Sequence, residues 1–223
     1  MKIRDRVKPK TPPVAPGVYM AVCVGVVDLG EQYSELYKNY SNKCKFVWAL
    51  PSELIEIDGK QEERQLSREF SVATKVTSKL RSFLSSWNSK AYSDEEYLDL
   101  DIMGQIGKPC MLNVVLNESG EYANVDSIMP IPNGIPVPTS KTPFFTWDME
   151  AWDDAAFEKL PQFIQDQIKK STQYQKEHAP VTTVAVDAPG LAVQHGAPEI
   201  ATAAVQPRND NGVTVTTGGA CPI

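Results

Sequence analysis

The segment GVYMAVCVGVVDLG, residues 17–30, constrains this chain more than any other. It is almost unbroken apolar sequence and rich in valine, whose branched β-carbon is crowded in a helix but sits well on a pleated surface. Such a run reads as a strand buried on both faces or lying in the wall of a barrel. Asp28 and Gly30 end it. Gly25 in its interior predicts a bulge or sharp bend, the device that lets a strand curl round a barrel corner.

The flanking sequence is organised around this strand. Upstream, residues 1–16 are expected to be a flexible basic arm, because Pro9, Pro12, Pro13 and Pro16 bar both helix and central strand. Downstream, EQYSELYKNYSNK is polar and tyrosine-rich and reads as a connecting loop with at most one helical turn. KCKFVWAL then alternates: Cys44, Phe46, Trp48 and Leu50 share one face, and Lys43, Lys45, Val47 and Ala49 the other, with Pro51 expected to end the strand. Residues 53–76 read as a hairpin turning at Asp58-Gly59, the dipeptide best suited to positive φ, whose returning arm is the third strand. Arg68, Phe70, Val72 and Thr74 share one face of its returning arm.

Leu80, Phe83, Leu84 and Trp87 recur at helical spacing, and Ser93 with Glu96 makes a capping box for a second short helix. GKPCMLNVVLNESGEYANVDSIMPIP is a further hairpin turning at 117–120. The order is five principal strands with helices between the third and fourth, which matches an OB-fold-like β-barrel over residues 17–132. The fold class is therefore mainly β, with a C-terminal helical segment and tail. Residues 133–143 are a proline-rich linker. Residues 144–178 are an acidic helical segment carrying Trp147, Trp152, Phe157, Leu160, Phe163, Ile164 and Ile168, which must pack on its own barrel or on a partner. Residues 179–223 carry little charge and no aromatic residue, and are expected to be a flexible tail.

Several function classes are disfavoured. There is no run of about 18 apolar residues and no signal-peptide pattern, so a soluble, cytoplasmic protein without membrane contact is expected. Cys23, Cys44, Cys110 and Cys221 lack metal-knuckle spacing and read as free thiols in a reducing compartment. His178 and His195 lie in or near the tail, and no HExxH, Walker loop or GxSxG occurs, so neither an enzyme nor a cofactor is expected. Glu95, Glu96, Asp99 and Asp101 read as a solvated helix face rather than a metal site.

Binding has better raw material. The net charge of −6 argues against a surface that grips nucleic acid everywhere, yet leaves room for a local basic groove. Single strands are held by cations along the backbone and by flat rings under unstacked bases. The strand candidates are Lys43, Lys45, Phe46, Trp48, Arg64, Arg68, Phe70 and Lys75, on the strands that form the binding face of an OB barrel. The first connection adds Tyr33, Tyr37, Lys38 and Tyr40. Each has a plainer reading: Phe46 and Trp48 share a face with Cys44 and Leu50 and suit a core, the lysines suit a solvated edge, and the tyrosine spacing also fits a short amphipathic helix.

GVYMAVCVGVVDLG, FVWALP, REFSVATK, LRSFLSSW and the GKPC-to-MPIP block, in this order over residues 15–132, resemble a family of bacteriophage OB-fold proteins. Those proteins are taken to be single-stranded DNA-binding proteins of replication or recombination modules. The resemblance implies an OB barrel, single-stranded DNA as ligand and a viral origin, in the host cytoplasm. Proteins of this kind often end in a cluster of acids, whereas this chain ends TTGGACPI. The acidic segment 144–178 would then recruit replication or recombination partners, or its acidic aromatic stretch 144–160 would sit over the barrel's own basic groove as a competitor for DNA. Two other readings stay open. One is a phage adaptor or inhibitor that occupies a host DNA-binding protein by mimicking phosphate charge; the other is a particle component. Homo-oligomerisation is compatible with all three.

Overall fold

The valine-rich run becomes one long, twice-bent strand. In the computed structural model, which describes residues 11–178, β1 spans Gly17–Ser34. Its first part pairs with β4, Pro109–Leu116, up to Val22 opposite Pro109, and its remainder pairs with β2, Asn39–Ile57. The register slips between Cys23 and Gly25 and again between Asp28 and Gly30, so Gly25 lies at a bulge as its position in the run predicts. Beyond this bend β4 has left β1, and β6, Phe145–Trp147, takes its place in parallel beside Gly25–Val27.

The sheet order is β3-β2-β1-β4-β5, with β3 at Lys60–Ser71 and β5 at Ala123–Met129. Its five main strands pair antiparallel. The β2–β3 turn is Asp58-Gly59, both at positive φ, as a two-residue turn matching the strand twist requires. Between β3 and β4 come α1, Lys79–Asn88, and α2, Asp94–Leu98, followed by a 3-10 turn at Ile102–Gln105. The capping box closes in both directions: Glu96 N donates to Ser93 Oγ at 3.1 Å and Ser93 N to Glu96 Oε2 at 2.9 Å.

Three boundaries differ from the sequence reading. The returning arm of the β2–β3 hairpin ends at Ser71, so Val72 and Thr74 lie beyond it. Residues 31–43 are not a loop but the two arms of a β-hairpin with its turn over 35–38, because Gln32, Tyr33 and Ser34 pair with Ser41, Tyr40 and Asn39. Pro51 does not end β2. The strand runs on to Ile57 through a register shift between Leu50 and Leu54, which absorbs the missing proline donor.

The ladder does not close into a ring, because β3 and β5 are its two ends. The seam between them is bridged by side chains. The Arg68 guanidinium donates to the carbonyl of Val125 at 2.9 Å and to that of Asp126, and Arg64 donates to the carbonyl of Pro12. Residues 11–16 are accordingly tied in rather than loose: Val14 is buried in the core, and Tyr19 Oη donates to the Ala15 carbonyl at 2.9 Å. The rest of the expected arm, residues 1–10, and the expected tail, 179–223, lie outside the described residues.

Two apolar layers flank the sheet. One lies between the strands and α1, where Phe46, Trp48, Phe70, Phe83 and Trp87 form a ring cluster with Phe70–Phe83 centroids 4.7 Å apart. The other lies on the opposite side of β1. There Val27 and Leu29 are covered by Trp147, by Phe157 of α3 (Asp154–Lys159), by Leu160, and by Ile164 and Ile168 of α4 (Gln162–Ile168). The α5 helix, Thr172–His178, adds Tyr174 to this layer. Residues 144–178 therefore belong to the same compact unit as the strands. The linker is anchored as well, since the Glu63 carboxylate accepts from Ser140 Oγ, from Lys141 N at 3.0 Å and from Thr142 Oγ1 at 2.9 Å. Among the described residues no helix is long and apolar enough to cross a membrane.

Candidate nucleic-acid interface

β1 and β2 run past the body of the sheet as a two-stranded arm, and this arm gathers the tyrosines. Tyr33 and Tyr40 are direct cross-strand partners, with ring centroids 5.0 Å apart and planes tilted by 52°. Tyr37 at the turn is 75% exposed and Leu36 beside it 81%. A tyrosine pair of this kind stabilises a hairpin modestly while leaving outer ring faces free. Lys38 adopts a φ of +51° in the turn, and its ammonium stands 2.7 Å from Glu35. Both side chains are largely solvated, so this pair holds the lysine only weakly. Lys43 stands half-buried where the arm joins the sheet.

The base of the arm is clamped by the C-terminal helices. Glu31 N donates to Gln173 Oε1 at 2.9 Å, Thr172 Oγ1 donates to Glu31 at 2.8 Å, and the Gln32 amide reaches the carbonyls of Leu29 and Gln167. These contacts hold the projecting strands in one direction relative to the sheet. Sequence reading missed them: the helical spacing of residues 160–168 shows that a covering face exists but not which surface it covers.

The sheet face expected to carry the ligand is arranged differently. Phe46, Trp48 and Phe70 are buried in the ring cluster and offer no face for a base to stack on. Their side of the sheet turns towards α1, so the core reading of Phe46 and Trp48 holds, and Phe70 joins them. Lys45 lies on the other side but is only 6% exposed. Its ammonium contacts Glu69 at 3.0 Å and Gln167 Oε1 at 2.6 Å and lies over the Phe163 ring. Arg68 bridges the β3–β5 seam and stacks on Phe70 and Phe83, and Arg64 holds the Pro12 carbonyl, so both act within the fold. Lys75 is exposed in the connection from β3 to α1, apart from the arm. Of the twelve candidates, Tyr33, Tyr37, Lys38 and Tyr40 are thus brought together at the hairpin, with Lys43 at its base.

Electrostatics reinforces this division. Burial alone would raise the Glu69 carboxyl. The hydrogen bond and charge of Lys45, joined by Gln167 and Lys43, hold it below its ordinary value. Asp28 at the second bulge is shifted the other way: burial first, then the charges of Asp148 and Glu150, raise it against the pull of the backbone donors of Gly30 and Met149. Burial pushes the Cys23 and Cys44 thiols up to about 12, and Cys110 also upward, so these three are not nucleophiles at neutral pH. Cys221 and His195 lie outside the described residues. Compared with known proteins, the chain matches no family model, no curated protein and no solved structure.

Proposed function

We propose that this protein binds single-stranded DNA on an OB-type scaffold, in a phage replication or recombination setting, and that it does so through the β1–β2 hairpin rather than through the outer face of β2 and β3. The observation that carries the reading is the placement of Tyr33, Tyr37 and Tyr40 on one projecting, clamped hairpin where none of them serves the core. Bases in a single strand have exposed ring faces and stack on such side chains regardless of sequence, while paired bases do not. The strand order β3-β2-β1-β4-β5, with helices between the third and fourth strands, supports an OB barrel whose seam is held by Arg68.

The test is a titration of fluorescent oligothymidine at several salt concentrations. With Lys38 and Lys43 as the phosphate contacts, log affinity falls with log salt at a slope of only about −1.4, because each phosphate contact releases roughly 0.7 counterion from a single strand. Tyr37→Ala weakens binding by about 1–3 kcal/mol, the usual loss for one stacked base, and leaves thermal stability unchanged. Failure of the wild-type protein to bind at low salt would sink the proposal.

A second reading is favoured by one observation. Leu36 is the most exposed large apolar side chain of the arm, and the arm's charges, Glu31 and Glu35 against Lys38 and Lys43, balance. That surface also suits a protein partner, which makes the chain an adaptor. Passage over a single-stranded DNA column at low salt separates the two: a DNA binder is retained and an adaptor flows through.

A further inference from the structure

A cavity of about 480 Å³ lies on the outer side of β3, where β6 meets the α3–α4 junction. Phe144, Phe145, Pro143 and Pro161 form its apolar walls, Gln65 and Thr146 supply an amide and a hydroxyl, and the Thr142 hydroxyl that also lines it is already donated to Glu63. Phe145 is fixed because its ring lies directly against the backbone at Gly25. Phe144 is 54% exposed, with part of its ring over Gly107 and the rest open. Lys159 is the one charged residue lining the cavity, and among the described residues it makes no ion pair. In a chain of net charge −6, this pocket therefore presents positive charge alone beside a free aromatic face.

We infer that this cavity is a second contact for the same single strand: one base stacks on Phe144 while the adjoining phosphate meets Lys159. The inference rests on the DNA-binding reading proposed above and extends it to a segment that reading does not use. A ring, a cation and a few edge donors are the chemistry a nucleotide unit requires, and a volume of this order lies within the range of small-ligand pockets, about 300–1,000 Å³. Charge selects the occupant, because an acidic or phosphorylated ligand gains from Lys159 whereas a basic one is repelled. Gln65 pairs with Ala49, which is six residues along β2 from Lys43. At about 3.3 Å per residue the pocket lies roughly 20 Å from the base of the tyrosine arm along that strand. A strand engaging both contacts must therefore run along the sheet for several nucleotides. In this arrangement the C-terminal segment covers the strand face and replaces its cations and rings with Phe144 and Lys159.

The test uses the full chain and oligothymidine of about 16 nucleotides, the upper end of OB-type site sizes. Phe144→Ala and Lys159→Met are each expected to weaken binding at least 5-fold with unchanged melting temperature. With Lys159 as a third phosphate contact the wild-type salt slope steepens to about −2.1, and Lys159→Met returns it to the roughly −1.4 of the hairpin alone. If Tyr37→Ala weakens binding while Phe144→Ala and Lys159→Met do not, the second contact is wrong and the hairpin reading stands. If the wild-type chain does not bind the oligonucleotide, both fall. If Phe144→Ala lowers the melting temperature, Lys159→Met alone decides, since an exposed lysine in no ion pair is not needed for folding.

Discussion

The side-chain oxygen of Gln167 accepts a 2.6 Å hydrogen bond from the Lys45 ammonium, and the amide of the same Gln167 donates to Glu69, the residue opposite Lys45 on β3. A glutamine of α4 thus bonds both partners of a cross-strand ion pair that are themselves 3.0 Å apart. This contact explains why the outer face of β2 carries a lysine without offering it to solvent. It also ties the C-terminal helices to the sheet by a directional contact beside the apolar one.

Lys45→Ala leaves the Glu69 carboxylate without its cation and the Gln167 side-chain oxygen without its donor, while the Gln167 amide still donates to Glu69. The substitution is expected to cost about 2–3 kcal/mol, below the roughly 3–5 kcal/mol of a fully buried pair because the Glu69 side chain is 36% exposed. The carboxyl of Glu69 is held below its ordinary value, so its contribution is present above the carboxylate range and is lost as pH falls through the lowered value. Urea midpoints at neutral and acid pH should show wild type losing this increment towards acid, with Lys45→Ala lacking it throughout. Oligothymidine affinity should not change.

Gly25→Ala tests the bend of β1. An added Cβ would stand 2.4 Å from the Phe145 ring, so the ring must leave the bulge. A cost of about 3 kcal/mol is expected, the upper end of ordinary overpacking. Gly25→Ala combined with Phe145→Ala should cost less than the two changes added together, because the clash is gone. Additive losses in a denaturant double-mutant cycle would contradict this packing.

Ending the chain after residue 143 distinguishes a removable cover from a structural layer. Val27, Leu29, Ile164 and Ile168 are almost wholly buried in that layer. Ile164 and Ile168 leave with the deleted segment, and at roughly 1.5–3 kcal/mol for each side chain, uncovering Val27 and Leu29 forfeits about 3–6 kcal/mol, a large share of the stability of a domain. The shortened chain is therefore expected to aggregate or to lose cooperative unfolding rather than to bind DNA more tightly. A monomeric, well-folded truncation with higher affinity would restore the idea of a displaceable competitor. Size exclusion and thermal melting read the outcome.

Asp28→Asn should stabilise the protein at neutral pH. Its carboxyl is raised by burial and by Asp148 and Glu150, so the folded state resists its ionisation, while an amide oxygen can still accept from Gly30 N. For an acid with a raised folded value, the native state holds the extra proton between the ordinary and the raised pKa, and stability falls as pH rises through that window. The advantage of Asp28→Asn is therefore largest at neutral pH and shrinks as pH falls towards the ordinary carboxylate value. Melting temperatures across that range are the measurement.

Local chemistry in the sequence determined much of this molecule. The valine-rich run made β1, Gly25 marked its bulge, Asp58-Gly59 set the β2–β3 turn, Ser93 and Glu96 capped α2, and the strand order with helices before the fourth strand followed from period and turn residues alone. What only the tertiary structure decided was which face each side chain met. Alternation placed Phe46 and Trp48 on one side of β2 and Lys45 on the other, but could not say that α1 would cover the first and α4 the second. Residues 31–43 read as a loop because polar strand pairs far from the core carry no hydrophobic period, and Arg68 read as a ligand contact because nothing local shows that it bridges β3 and β5. Propensity and periodicity act over a few neighbouring residues. Burial is set by contacts such as Lys45 with Gln167, 122 positions apart, and these exist only once the chain has folded.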